Sequence, residues 1–487
     1  MNFNLTNTFY NNSKVLFLFM FESFDIDEVL KDIKIDKKIE ILKKRDLFAG
    51  KYKEICELDI FEDKGYEKAI LIGLGKKEDL TRDRFIRAYG SGLSSFAYDK
   101  HSEIDVFIKE DIDFENLLDT ISETTIISTY SFNKYKKEDK KSIIESVNVI
   151  SFRKFIEEDF SKGIISGRYV NMARDLVNEP SNIMYPETLS DFVVDLSKNH
   201  DFEVEVFDKN EIKKMGMEAY YSVAKASKKE PKLIVMRYKG HPSSDEILGF
   251  IGKGLTYDAG GLSIKSTSGM VTMKSDMGGS AAVISAMCAI AKSGLSVNVT
   301  AVIPACENMI SGKSYKPGDI LKSMNGKTIF IGNTDAEGRL TLADGMTYGI
   351  RNEKITRVID IATLTGAAVR AFAEYVTPVV TNDKEFLAKL KIASNEGNEM
   401  IWEMPIVEEY RDTVKHDIAD ITNIPGTPGM ITAGLFMEEF CEDIPWIHID
   451  IAGSSWLDKK KNNFIKGGTG AGTRMLFHLA RQFSTIK

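Results

Sequence analysis

GFIGKGLTYDAGGLSIK, Gly249 to Lys265, sets the reading of the rest of the chain. It opens as an apolar strand ending at Lys253, and Asp258 follows in a loop packed with Gly260 and Gly261. In open α/β sheets, ligand sites lie off the carboxyl ends of strands. The same alternation continues outward. Lys232–Tyr238, Ile247–Ile251, Val297–Ile303, Val358–Ala362 and Trp446–Ile451 read as strands, separated by Gly- and Ala-rich helical stretches such as Gly279–Lys292. Towards the N-terminus, Val15–Phe21 (VLFLFMF), Lys68–Leu74 (KAILIGL) and Ile104–Ile108 read as strands and Arg82–Tyr98 as a helix. Polar, Lys-rich Phe132–Ser142 reads as a solvated loop, and Phe152–Leu176 as a connecting helix. The pattern predicts two α/β domains with a largely parallel sheet. A smaller one spans 1–160 and a larger one 161–487, joined by a helix around 152–177.

A chain of 487 residues exceeds one compact core, and 43% hydrophobic with 28% charged residues is ordinary for a globular protein. The net charge of −8 offers no basic surface to a phosphate backbone. The first 160 residues are acidic as well, with 26 Lys and Arg against 32 Asp and Glu, so no basic domain is averaged away. Cys56, Cys288, Cys306 and Cys441 are widely spaced and form no C-x-x-C pair, as expected for reduced thiols in a cytosolic protein. Val15–Phe21 is too short to span a bilayer. Asn12, Ser13 and Lys14 before it form too weak a basic region for a signal peptide. A cytoplasmic location without membrane attachment is the expectation.

Several familiar chemistries are missing. There is no H-E-x-x-H, the six histidines form no ligand-spaced pair, and there is no G-x-S-x-G elbow. His448 in IHIDIAG reads as a packed core residue. GKS at Gly312–Ser314 is no P-loop, because Glu307 stands where its first Gly belongs. GGTGAGTR at Gly467–Arg474 mimics a dinucleotide fingerprint, but too few residues follow for the βαβ unit. A tight loop opening a helix is the better reading.

Three segments supply carboxylates instead. On its own, Lys253 with Asp258 reads as a surface ion pair. Asp276, before Gly-Gly-Ser-Ala-Ala, reads as a helix N-cap. Asp335, Glu337 and Arg339 in IGNTDAEGRLTLADG (Ile331–Gly345), after the strand-like KTIFI, read as a solvated turn, or as one face if the backbone is extended. Together they change the reading. Asp258, Asp276, Asp335 and Glu337 would gather near strand ends in one domain, and four like charges repel unless cations neutralise them. Two divalent ions roughly 3.5–4 Å apart are a recurring hydrolytic device. Lys253 could join them only as a neutral amine, its pKa lowered by burial and nearby cations.

NTDAEGRL, Asn333 to Leu340, resembles the signature of the leucine aminopeptidase (cytosol aminopeptidase) family. The resemblance extends to IGKGLTYDAGGLSIK, MKSDMGGSAA, CENMISGKSYKPGDI (Cys306–Ile320) and DIATLTGA (Asp360–Ala367). It is weaker in ARDLVNEPSN (Ala173–Asn182), HIDIAG (His448–Gly453) and the Gly467–Arg474 loop. Together these cover nearly all of residues 170–475. The family implies a smaller N-terminal α/β domain, a linker helix and a larger catalytic α/β domain, assembled as a homohexamer. It implies that Lys253, Asp258, Asp276 and Glu337 hold a tighter metal, and Asp258, Asp335 and Glu337 an exchangeable one. The ions would be zinc, manganese or magnesium. Lys265 and Arg339 match the family's catalytic residues, with Arg339 holding a bicarbonate-type general base. Met273, Thr363 and Gly366 match its apolar first pocket, so peptides beginning with Leu or Met are the implied substrates. There are two departures, the second of them near that pocket. Ile310 stands where the family usually has Pro, and AVRAFAEYVTPVV follows DIATLTGA where the family has a Gly-containing turn, near Ala373 and Glu374. A different two-metal hydrolase, such as a phosphatase, is disfavoured by Lys253 and the lack of histidines. An architectural DNA-binding role, known in some relatives, is disfavoured by the acidic balance.

Overall fold

The computed structural model describes residues 1–9, 13–23, 30–31, 33–60, 65–96, 100–137, 142–155 and 160–484. The chain forms two compact units, residues 1–171 with 459–466, and 172–458 with 467–487. The expected linker helix runs Ser161–Asn178 and the division falls within it, eleven residues beyond the expected 160. Residues 152–155 are not helical, and 156–159 lie outside the described residues. So do Asn12, residues 97–98 of the expected helix Arg82–Tyr98, and 138–141 of the expected loop.

In the first unit, β1 (Asn2–Thr6), β2 (Val15–Phe21), β3 (Ile55–Asp59), β4 (Lys68–Gly75), β5 (Glu103–Phe107) and β6 (Ser146–Ile150) form a sheet in the order β1-β6-β5-β2-β4-β3. All neighbours are parallel except edge strand β3. VLFLFMF is apolar throughout because both faces of β2 are covered. Val15, Phe17, Phe19 and Phe21 enter one core, and Leu16, Leu18 and Met20 the other. The returning segment Lys459–Lys466 belongs here too. Asn463 packs so closely on Gly90 that a Cβ there would lie 2.4 Å from its own, and Lys53 donates to Asn462 at 2.5 Å.

The second unit is built on β7 (Glu203–Phe207), β8 (Lys232–Lys239), β9 (Leu248–Gly252), β10 (Gly254–Asp258), β11 (Asn298–Asn308), β12 (Ile320–Lys322), β13 (Thr328–Phe330), β14 (Arg357–Ala362), β15 (Thr377–Thr381), β16 (Ile401–Glu403), β17 (Ile421–Thr422) and β18 (Trp446–Asp450). Nine strands make a mixed sheet in the order β16-β15-β18-β14-β9-β11-β8-β7, with β10 beside β11. Its centre, β18-β14-β9-β11, is parallel. β12, β13 and β17 form a separate small sheet. The strand-like KTIFI therefore belongs to a platform beside the main sheet, and Asp335 is delivered from there. Helices including Gly278–Lys292 and Gly338–Glu353 pack on the main sheet. Gly279 permits this contact, since a Cβ there would come 2.1 Å from the Ile361 carbonyl oxygen.

The Gly467–Arg474 loop does open a helix, Thr473–Phe483. Its free N–H groups are already served by Glu399, which accepts from Gly472 N at 3.2 Å and Met475 N at 3.1 Å. Three of the cysteines are buried and Cys56 is half-buried, all as free thiols. Among the described residues, no helix is long and apolar enough to cross a membrane.

Candidate metal centre

Lys253 lies between β9 and β10, its backbone tied to β14 by a bond from its N–H to the Ile361 carbonyl at 3.1 Å. Its ammonium reaches Asp276 Oδ1 at 2.8 Å, Glu337 Oε1 at 3.0 Å and the Thr363 carbonyl at 3.0 Å. Asp258 is the last residue of β10 and not a loop residue. Its Oδ1 accepts from Gly260 N and Asn308 Nδ2, both at 2.8 Å, and its Oδ2 pairs with Lys265 at 2.8 Å. Lys265 also reaches Asp335 Oδ1 at 2.6 Å.

Asp276 is no N-cap. It sits inside a 3-10 turn, Met273–Met277, that feeds the helix Gly278–Lys292, and it accepts from the Thr363 hydroxyl at 2.7 Å. Nor are residues 335–339 extended. Asn333–Ala336 turn, Glu337 has helical backbone angles, and Arg339 lies in the first turn of the helix Gly338–Glu353. The turn brings the carboxylates together all the same. Ligand atoms of Asp258, Asp335 and Glu337 lie within 4.8 Å of one another. Gly338 is required for this approach, because a Cβ there would stand 2.5 Å from Lys253 Cε.

The turn is clamped by residues that the sequence did not single out. Buried Asn423 accepts from Gly332 N at 2.9 Å and donates to the Asn333 carbonyl at 2.6 Å, while Asn333 Oδ1 accepts from Asp335 N at 2.8 Å. Asn308 and Tyr315 both donate to the Thr334 carbonyl, at 3.0 and 2.7 Å. Asn308 and Tyr315 stand in the quoted segment Cys306–Ile320, where a buried Asn ending an apolar strand was the available signal. Asn423 follows no motif.

Burial raises the carboxyls here, and mutual repulsion adds to it. Glu337 is pushed up to about 8 by burial and then by Asp258. Asp276 rises to about 6 through burial, against the pull of Lys253. Asp335 is raised by burial and by Asp258. At Lys253 burial lowers the pKa as expected, yet Asp276, Glu337 and Asp258 outweigh it and hold the ammonium above its ordinary range. A neutral amine there depends on cations taking up the carboxylates' charge. Burial lowers Arg339 to about 10, and its Nε is buried without a hydrogen-bond partner.

The residues fit a metal centre. Asp276 Oδ2 and Glu337 Oε2 are buried without a hydrogen-bond partner, so these two carboxylates each keep an uncommitted oxygen. A set of carboxylates and an amine suits hard or borderline divalent ions such as Mn²⁺, Zn²⁺ or Mg²⁺. Of the residues matched to the substrate pocket, Thr363 is joined to the cluster through both its carbonyl and its hydroxyl. Met273 begins the turn that carries Asp276, and Gly366 opens the short helix Gly366–Phe372 after Thr363. A Cβ on Gly366 would meet only the Arg370 guanidinium, at 3.4 Å.

Comparison with known proteins gives the family. Residues 171–477 match the catalytic domain of the cytosol aminopeptidase family and residues 16–139 its N-terminal domain. A probable cytosol aminopeptidase of Clostridium perfringens is 47% identical over 460 residues, covering 92% of this chain and 93% of the relative. One from Clostridium tetani is 43% identical, covering 91% and 93%. One from Fusobacterium nucleatum is 41% identical, covering 91% and 92%. Among solved structures, the bottromycin maturation enzyme BotP in complex with Mn shares the fold, with a TM-score of 0.86 at 24% identity over 97% of this chain and 100% of that one. With both domains matched and relatives of this identity along nearly its whole length, the chain belongs to the cytosol aminopeptidase family and is a metal-dependent aminopeptidase.

Proposed function

We propose that this aminopeptidase removes Leu, Met or another apolar residue from the N-terminus of peptides, using two divalent ions. The observation that carries the reading is the closed set of contacts among Lys253, Asp258, Asp276, Asp335 and Glu337, with buried oxygens left over on Asp276 and Glu337. Lys253, Asp258, Asp276 and Glu337 would hold the tighter ion, and Asp258, Asp335 and Glu337 the exchangeable one. Such a pair supplies a ligand position for the substrate's α-amine, polarises the scissile carbonyl and acidifies water.

The chain's own groups do the rest. Lys253 is almost wholly buried, with 4% of its side chain exposed, whereas Lys265 keeps 19%. The ammonium at the rim is the one that can meet a substrate oxyanion, so Lys265 stabilises the tetrahedral intermediate. Arg339, buried and with a free Nε, is suited to hold a bicarbonate-type anion acting as general base. Met273, Thr363 and Gly366 line the pocket for the N-terminal side chain. By the same family resemblance the protein is a cytoplasmic homohexamer, which analytical ultracentrifugation tests directly.

The deciding experiment pairs Leu-Gly-Gly with N-acetyl-Leu-Gly-Gly over a pH series with Mn²⁺ or Zn²⁺. The free peptide should be cut and the acetylated one spared, because an amide is a very poor metal ligand. Activity should rise through neutrality as the α-amine, of pKa roughly 7.7–8.0, loses its proton. Comparable cleavage of both peptides, or cutting at internal bonds, overturns the reading. A panel of N-terminal residues with metal analysis fixes the side-chain preference and the ion.

A further inference from the structure

Asp450 ends β18 beside Ala362, the last residue of β14, and is 1% exposed. A carboxylate so buried needs several donors. Its Oδ1 accepts from Leu364 N at 3.1 Å, Thr365 N at 3.4 Å and Ala452 N at 3.1 Å. Its Oδ2 accepts from the Thr365 hydroxyl at 2.6 Å. That hydroxyl in turn accepts from Ala368 N at 3.0 Å and so caps the helix Gly366–Phe372. The segment held this way follows directly on Thr363, which accepts from Lys253 Nζ through its carbonyl and donates to Asp276 Oδ1 through its hydroxyl.

We infer that Asp450 is a positioning residue of this metal centre: it fixes the Leu364–Thr365 backbone, so that Thr363 orients both Lys253 and Asp276 for the tighter ion. The inference rests on the two-ion reading above. A carboxylate suits the task because it accepts all four bonds at once, while an amide must turn a donor towards one of them. Neighbours that orient ligands in this way typically govern affinity by about 10- to 100-fold.

The test titrates Mn²⁺ into the full-length chain by calorimetry. Asp450→Ala should weaken the tighter ion by about 10- to 100-fold while the exchangeable ion changes much less. Asp450→Asn should fall between the two. Since the effect passes through Thr363, adding Thr363→Ala to Asp450→Ala should cost little beyond the larger single loss. Thr365→Val removes only one bond; if Asp450→Ala does not fold, this variant carries the test, with a several-fold weaker tight ion expected. Wild-type ion affinity in a folded Asp450→Ala or in Thr365→Val overturns the inference. So does full additivity with Thr363→Ala, or a loss confined to kcat with both ions retained, which would place the effect on Arg339, whose guanidinium feels the charge of Asp450. A wild-type chain with no tight ion overturns the two-ion reading, and the inference with it.

Discussion

Each unit buries carboxylates in an α/β sheet, but under opposite conditions. In the first unit Asp105 on β5 is fully buried, yet both oxygens are engaged: Oδ2 by Tyr66 at 2.5 Å and Oδ1 by Asn148 at 2.9 Å. In the second, Asp258, Asp276, Asp335 and Glu337 crowd around two lysines, and Asp276 and Glu337 keep buried oxygens with no partner. Burial raises the pKa in both places, so a raised carboxyl does not by itself mark a site. What separates Asp105 from Asp276 and Glu337 is satisfaction. A carboxylate with all its acceptors filled holds a fold together, and one with acceptors to spare is prepared for something that arrives.

Removing one carboxylate from each unit tests that contrast most severely. Glu337→Ala should lose ions and lower kcat/KM by at least about 10³-fold, since several kcal/mol of charge stabilisation go with the metal centre. Its circular dichroism should stay native. Asp105→Ala should do the reverse, unfolding about 1–3 kcal/mol more easily because Tyr66 and Asn148 lose a buried acceptor, with activity per folded molecule intact. Metal loss in Asp105→Ala, or near wild-type hydrolysis by Glu337→Ala, breaks the comparison.

Within the second unit, Asp335 and Arg339 sharpen it. Asp335→Ala should empty the exchangeable position. Arg339→Ala should keep both ions and lose kcat by about 10²- to 10⁴-fold, as expected when a general base loses its anchor. Metal stoichiometry of the two variants decides, and equal metal loss in both refutes the division of roles.

A smaller effect is expected from pH. A carboxyl whose folded pKa lies above its unfolded value stabilises the fold while protonated, and that contribution disappears as pH climbs through the folded pKa. The loss therefore runs from the ordinary carboxyl range, roughly pH 4, up to about 6 for Asp276 and about 8 for Glu337, so Glu337 carries the part that falls above pH 6. Lys253 and Lys265 are raised, so they stay protonated in both folded and unfolded chains up to about pH 9 and do not mask it. Chelator-treated protein should therefore melt at a lower temperature at pH 9 than at pH 6. Protein with Mn²⁺ should lack this decline, because bound cations replace the protons. Parallel curves with and without Mn²⁺ would contradict the crowding argument.

The smallest change lies at Ala373, whose φ of +49° and ψ of −134° suit the first central position of a type II′ turn, where Gly is the ordinary residue. Ala373→Gly should raise stability by about 1 kcal/mol or more through relief of backbone strain, read as a higher denaturation midpoint at constant m-value. An unchanged or lower midpoint would mean that the turn is not strained.

How much of this was legible depended on distance along the chain. VLFLFMF and KAILIGL announced themselves because strands covered on both faces are apolar at every position. EVEVF of β7, half-exposed and alternating with glutamates, carried no comparable signal and was not read as a strand. The metal-centre residues could be gathered from three short segments, but how Asp335 and Glu337 meet could not. The sequence left a solvated turn or an extended face open, and the structure has a turn, held by Asn423 about ninety residues away. Asp450 was hidden for the same reason. In IHIDIAG it looks like one more strand residue, and its partners Leu364 and Thr365 are known only once β14 and β18 lie side by side.

The return of Lys459–Lys466 to the first unit has a consequence for birth at the ribosome. Asn463 fits against Gly90, so the surface it covers stays bare until residues 172–458 have been synthesised. At 5–20 residues per second that interval is roughly 15–60 s. The N-terminal unit emerges first, but the eight residues that complete it are made only after the whole of 172–458.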